Sequence, residues 1–263
     1  VEKGNKKLII DVLKEELIEA GYTNFKQIIL DSTKFGVPQR RNRFFILATR
    51  YKDWELSIPI DSEFSSSTVG DAILDLPNVK PNTSKARTQY LNNSSSYSEL
   101  MRDDVFWRRE EFHSDKVSYQ TPMKHRECTL KRFALLKQGE SLKDLFDRYQ
   151  GEDRIKLQEQ RILPKKLFIK RNYRLKEDEA SPTVTSHCLD EFVHPKHNRA
   201  LTVRECARLQ SFPDSYDFCG GPYIVPHIDR TVQDKYEQIG DAVPPLLAYA
   251  WGLEIKKIIE RYG

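Results

Sequence analysis

The sequence predicts a mixed α/β protein: the far end of a mixed sheet, joined to a smaller mixed domain. Three observations carry this. Residues 5–48 read in the order helix, strand, turn, strand, as in an α/β layer. Composition shifts over residues 79–98, which are rich in Asn, Ser, Thr and Lys, and helical patterns follow through residues 100–176. An extended segment at 181–185 and a long C-terminal helix then follow.

The elements can be justified in order. Over residues 5–20, Leu8, Ile9, Val12, Leu13, Leu17 and Ile18 recur at helical spacing, and Gly21 offers the cap. Residues 27–30 form a short strand. Phe35-Gly36-Val37-Pro38 is a turn, since glycine frees the backbone and proline fixes it. The turn runs into Gln39-Arg40-Arg41-Asn42-Arg43 and then into a strand over residues 44–48. Residues 68–77 make a short capped helix that ends at Pro77. Residues 79–98 read as a linker. Helices are expected over 130–137, stopping at Gly139, and over 141–149, with Leu142, Leu145 and Phe146 on one face. Ser181-Pro182-Thr183-Val184-Thr185 is extended by its proline and its β-branched residues, and is expected as a strand. Thr202 and Glu205 have capping-box spacing. Residues 240–243 read as a helix-start loop, and Pro244-Pro245 can start a helix over 246–261.

Composition bounds the function. The 263 residues are 38% hydrophobic and 31% charged, so the surface is polar and the core modest. Net charge is only +4, yet residues 121–176 hold 16 Lys and Arg against 7 Asp and Glu. A basic block in an otherwise mildly acidic chain is the footprint expected for nucleic acid; the alternative is a solvated helical face. Cys128, Cys188, Cys206 and Cys219 are scattered with no CxxC spacing, so no metal site is expected and a reducing compartment fits. No signal peptide and no apolar run near 18 residues is found, which excludes a helical membrane span and makes cytoplasmic localisation the expectation for a prokaryotic protein.

The arginines beside residues 44–48 ask for an explanation. A guanidinium keeps its charge and carries five donors that need partners, so placing several at a strand start points to an anion or a carbonyl held at the rim of a sheet. The alternative is a surface salt-bridge cluster.

Two further blocks follow in the sequence. One is Arg199-Ala200-Leu201-Thr202-Val203-Arg204-Glu205-Cys206-Ala207-Arg208-Leu209-Gln210-Ser211-Phe212-Pro213-Asp214. The other is Gln238-Ile239-Gly240-Asp241-Ala242-Val243-Pro244-Pro245. In this order, and with a long variable segment after the first, the three blocks resemble the last three signature motifs of the DNA cytosine-5 methyltransferases. Phe35-Gly36-Val37-Pro38 extends the resemblance, which covers roughly residues 5–78 and 180–262.

The resemblance implies a methyltransferase-type (Rossmann-like) catalytic domain at 1–78, a target-recognition domain at 79–198, and a return to the catalytic domain at 199–263. It implies methyl transfer from S-adenosylmethionine to C5 of a cytosine flipped out of duplex DNA. By the same resemblance, Arg43 contacts the flipped cytosine and Arg41 orders the site and a nearby phosphate, while Arg40 holds a position that varies. Thr183 contacts backbone phosphate. Asp241, Ala242 and Val243 touch the cofactor, with Asp241 standing where the family usually has Asn. The 199–214 block mainly organises the recognition domain against the catalytic one. Cys206 reads as a small buried hydrophobe, since no base is placed beside it.

The N-terminal signatures of such enzymes are a Gly-rich cofactor loop, a Pro-Cys nucleophile and a Glu-Asn-Val. None occurs in these 263 residues. The chain is therefore expected to be the C-terminal portion of a methyltransferase, inactive alone, whose partners are double-stranded DNA and an N-terminal half. The alternative is a DNA-binding specificity subunit of a split methyltransferase with no chemistry of its own.

Overall fold

The computed structural model describes residues 8–80, 87–169, 171–224 and 232–263. The first helix, α1 (Ile9–Glu19), lies within the predicted 5–20 and ends where Gly21 takes a positive φ. Strands β1 (Asn24–Asp31) and β2 (Asn42–Thr49) are longer than predicted and pair antiparallel, from Asn24↔Thr49 to Asp31↔Asn42. A 3-10 turn at Ser32–Phe35 joins them toward Gly36, whose φ is +77°. A Cβ at Gly36 would also lie 2.5 Å from the Phe64 Cβ.

The hairpin is apolar on both faces. Ile28, Leu30, Phe45 and Leu47 pack with Phe35 against Leu247, Ala250 and Trp251 of the C-terminal helix. The opposite face leaves the cross-strand pair Ile29 and Phe44 exposed at 66% and 47%. No residue of α1 is buried.

Helix α2 (Val69–Ile73) starts in a complete capping box between Thr68 and Asp71. Residues 81–86 of the expected linker lie outside the described residues. The rest of that stretch is more ordered than its composition implies. Strand β3 (Thr88–Gln89) pairs with β4 (Lys116–Val117), and Ser95 caps α3 (Ser96–Arg102) through Ser98. The serines that read as linker are partly a helix cap.

The middle region is helical, as predicted: α4 (Glu127–Leu135), α5 (Leu142–Arg148) and α6 (Gly151–Glu159). Helix α4 begins and ends earlier than predicted, and α6 was not expected because it buries no residue and so has no apolar stripe. Phe133, Leu136, Leu142, Leu145, Leu163 and Val193 form a core of their own here.

Strand β5 (Tyr173–Arg174) pairs parallel with β6 (Phe192–Val193), which follows the short helix α7 (Cys188–Glu191). The strand expected at 181–185 is absent; only the bridge Gln39↔Ser181 forms. Pro182 has no N–H to extend a ladder, and the Val184 N–H donates to a side chain instead.

Helix α8 (Val203–Leu209) opens in the predicted Thr202–Glu205 capping box, with all seven residues buried. Helix α9 (Lys235–Asp241) takes in the first two residues of the loop expected at 240–243, while Ala242 and Val243 stay non-helical before the next helix, as predicted. Asp234 and Glu237 form its capping box, and Gly240 and Asp241 are its last residues. Helix α10 (Pro245–Tyr262) follows, with proline in its first turn. The main core draws Ile73 from α2, Met101 from α3, Cys206 from α8, Ile239 from α9 and Leu246 from α10 into one cluster.

Candidate functional site

Arg41 sits just before β2 and is 1% exposed. Among the described residues its guanidinium is hydrogen-bonded to no carboxylate. It donates to the carbonyls of Val184 at 2.7 Å, Gly240 at 2.6 Å and Ala242 at 3.0 Å. Burial, and then the charge of Arg43, pull its pKa down to about 10, while Asp241 opposes the shift. Arg43, two residues on, keeps its donors nearly free. Its Nη1 donates to the Asn42 carbonyl at 2.9 Å, and partial burial lowers its pKa. Arg40 faces outward, paired with Glu179 at 2.7 Å. The three arginines thus have three environments.

Gln39 and Gln210, both fully buried, extend the same junction. The Gln39 Oε1 accepts from the Val184 N–H at 2.7 Å, and its Nε2 donates to the Gln210 Oε1. The Gln210 Nε2 donates to the carbonyls of Ile239 and Ala242, each at 2.9 Å. Glycine is required at 240 by space: a Cβ there would lie 2.2 Å from the Ser186 nitrogen and 2.3 Å from the Thr185 carbonyl carbon. The end of α9 therefore touches the 185–186 main chain directly.

The remaining predicted residues lie around this junction. The Thr183 hydroxyl donates to the Arg40 carbonyl at 2.7 Å. Asp241 is exposed, its carboxylate accepting from the Gln233 amide at 2.8 Å. Ala242 offers its carbonyl inward to Arg41 and Gln210, and Val243 is 44% exposed. Ser211, at φ +64°, turns its hydroxyl to accept from the Leu246 N–H at 3.1 Å, which ties the end of α8 to the start of α10.

The 199–214 block is a buried charge network. Arg199 grips Glu205 through two contacts of 2.8 and 2.7 Å. Burial alone would raise the Glu205 carboxyl, but Arg199 draws its pKa down to about 2. Arg208 holds Asp214 at 2.6 Å and Asp75 at 3.3 Å. Arg204 donates to the carbonyls of Ser118, Pro213 and Tyr216. Cys206 is buried, and burial pushes its thiol well above the ordinary range. The geometry around this block is structural. It locks α8 to α2 and to residues 118–120 of the middle region. Among the described residues, no group of His, Cys, Asp and Glu could hold a metal ion.

The family model for C-5 cytosine-specific DNA methylases matches residues 1–257. The chain belongs to this family. A type II methyltransferase of Desulfomicrobium norvegicum, M.DdeI, is 32% identical over 254 residues, which are 94% of this chain and 57% of that protein. M.Bpa9945I of Bacillus paralicheniformis is 29% identical over 94% of this chain and 56% of its own length. The chain thus spans little more than half of these relatives. The solved structure of an E. coli prophage protein assigned as a DNA modification methyltransferase covers 98% of this chain and 67% of its own, with a TM-score of 0.68. At 21% identity, that likeness speaks for the fold.

The methylase family uses S-adenosylmethionine and acts on DNA. In this member, Arg41 stands among segments 181–186 and 239–242, and Arg43 is near enough for its charge to lower the Arg41 pKa. The sequence reading missed Gln39 and Gln210, although both lie within quoted blocks. The available signal was an uncharged amide between arginines and turn residues, and between Leu209 and Ser211, in stretches otherwise occupied by core or ionic side chains.

Proposed function

We propose that the chain is the C-terminal part of a DNA (cytosine-5)-methyltransferase, acting on a specific duplex site by methyl transfer to C5 of a flipped cytosine. The observation that carries this is the meeting of residues 39–43, 183–186 and 239–242 around Arg41, with the half-buried Arg43 guanidinium beside them. Among the described residues no carboxylate pairs with Arg43. Its donors are available to stabilise the charge that builds at cytosine O2 when a nucleophile adds to the ring. Arg41 uses its donors on main-chain carbonyls, so its role is to hold the site.

The turn at 241–243 fits S-adenosylmethionine by its chemistry. Asp241 presents an exposed carboxylate suited to a cationic ligand, and Val243 an exposed apolar surface. Bound there, S-adenosylmethionine supplies the methyl group. Thr183 is assigned to backbone phosphate, and the division into 1–78, 79–198 and 199–263 is retained as our reading.

The nucleophile, the Gly-rich loop and the Glu-Asn-Val are assigned to an N-terminal half, carried on a separate chain or on a segment absent from these 263 residues. Two features support such a partner. The hairpin exposes Ile29 and Phe44, and α1 exposes Ile9 at 81%. A two-stranded hairpin with a bare apolar face is marginal by itself. No helix is long and apolar enough to cross a membrane among the described residues, and bacterial relatives favour a cytoplasmic setting. The basic block favours a second reading, a DNA-binding specificity subunit. Tritium transfer from S-adenosylmethionine to mixed-sequence DNA tests the fragment reading: the chain alone is expected to be inactive and the chain with its N-terminal half active, and turnover by the chain alone refutes it. Arg43→Ala in the active pair decides between the two readings: a fall in turnover with DNA binding retained places chemistry on this chain, and unchanged turnover favours the specificity subunit.

A further inference from the structure

We propose, on the reading just given, that Gln39 and Gln210 are positioning residues that set the DNA-side segment 183–185 and the cofactor-side turn 239–242 as one unit. The chain of amides has one allowed polarity. Main-chain carbonyls only accept, so the Gln210 Nε2 must face Ile239 and Ala242, which leaves its Oε1 for Gln39. A main-chain N–H only donates, so the Gln39 Oε1 must face Val184 and its Nε2 must face Gln210. Each end of the relay orients the other.

Arg41 closes a second path between the same two segments, through the carbonyls of Val184, Gly240 and Ala242. Gly240 adds direct main-chain contact with residues 185–186. With both amides out of water, no solvent molecule replaces a lost partner. Thr183 and the 241–243 turn therefore hold their places together. Neither glutamine touches substrate in this scheme; both act through the main chain they orient.

The first test uses the chain alone and reads amide hydrogen exchange. Gln210→Met leaves the Gln39 Nε2 with its longer contact to the Leu209 carbonyl at 3.3 Å and so loosens the amide, and the Val184 N–H is expected to exchange about 10-fold faster, although Gln210 does not touch Val184. Gln39→Glu keeps an acceptor for Val184 but reverses the relay, so Val184 stays protected while the 239–242 turn loosens. Val203→Ala, a core truncation outside the relay, is the comparison. Equal deprotection of Val184 in Val203→Ala at a matched fall in Tm overturns the proposal.

The second test uses the enzyme completed by its N-terminal half. Gln39→Met and Gln210→Met are each expected to raise the KM for S-adenosylmethionine about 10-fold with kcat within about 3-fold, and the double variant no further. Gln210→Glu behaves as Gln210→Met, because a carboxylate cannot donate to the two carbonyls. Unchanged KM in the single variants, or additive losses, overturns the proposal. If the wild-type pair transfers no methyl group, the functional reading fails, and the exchange experiment alone decides whether the relay exists.

Discussion

Arg41 and Arg43 divide the work of a short arginine run by what their donors meet. Three carbonyls take up Arg41, so Arg41→Met takes this partner from the Val184 and Gly240 carbonyls, while Ala242 keeps its bond from Gln210. Stability should fall by roughly 3 kcal/mol, given about 1–3 kcal/mol for each buried group left unsatisfied. Urea unfolding of the chain alone measures this. Arg43→Ala removes a mostly free donor, so melting should move little, while single-turnover methyl transfer in the completed enzyme should drop by ~10²–10³. If Arg43→Ala melts early and keeps its turnover, the residue is an ion-pair partner and not a base contact. Both arginines were legible in the sequence because a guanidinium beside an apolar run is costly and demands a partner. Gln210 was not. Glutamine is unremarkable near a helix end, and its role is set by Gln39, 171 positions away in the chain.

At the level of elements, helix α8 carries an acid sensitivity. Glu205 has its pKa depressed to about 2, and buried His194 has its own lowered to about 3, chiefly by burial. Each unfolded group binds a proton at a higher pH than the folded one. Stability should therefore begin to fall as pH drops below about 6.5, as unfolded His194 protonates, and fall faster below about 4.5 through Glu205. The Glu205 contribution is on the order of 3 kcal/mol, lost between about pH 4.5 and 2. The His194 side chain accepts from the Lys196 and His197 N–H groups, which asparagine can also do. His194→Asn should flatten the upper part of a pH–denaturation curve and leave the lower part intact; an unchanged upper limb refutes the assignment. Gly240→Ala should loosen α9 from residues 185–186, at about 1–3 kcal/mol for forced overpacking, visible as a lower Tm. Element by element, helices with a periodic face or a capping box were readable, as α5 and α8 were. Helix α6 has no buried face to read, and the 181–185 segment looked like a strand because β-branched residues favour extension whether or not a ladder can form around Pro182.

For the whole molecule, the basic block predicts a salt-dependent grip on duplex DNA. Lys165 and Lys166 are exposed. Lys165→Gln with Lys166→Gln should reduce the slope of log affinity against log salt by about 1.8 if both meet phosphate. Fluorescence anisotropy across a salt series reads the slope, and an unchanged slope removes these lysines from the interface. The β1–β2 hairpin has a different consequence, one of timing. Its outer strand edges are unpaired within the described residues, and one of its faces presents Ile29 and Phe44 to water. An open strand edge is a template for any extended chain that reaches it first. On the proposed fragment reading, assembly with the N-terminal half and self-association compete for one surface, and their rates depend on different concentrations. Made in excess over such a half, the chain is expected to aggregate from this hairpin; made alongside it, the same edge is expected to close before a second copy arrives.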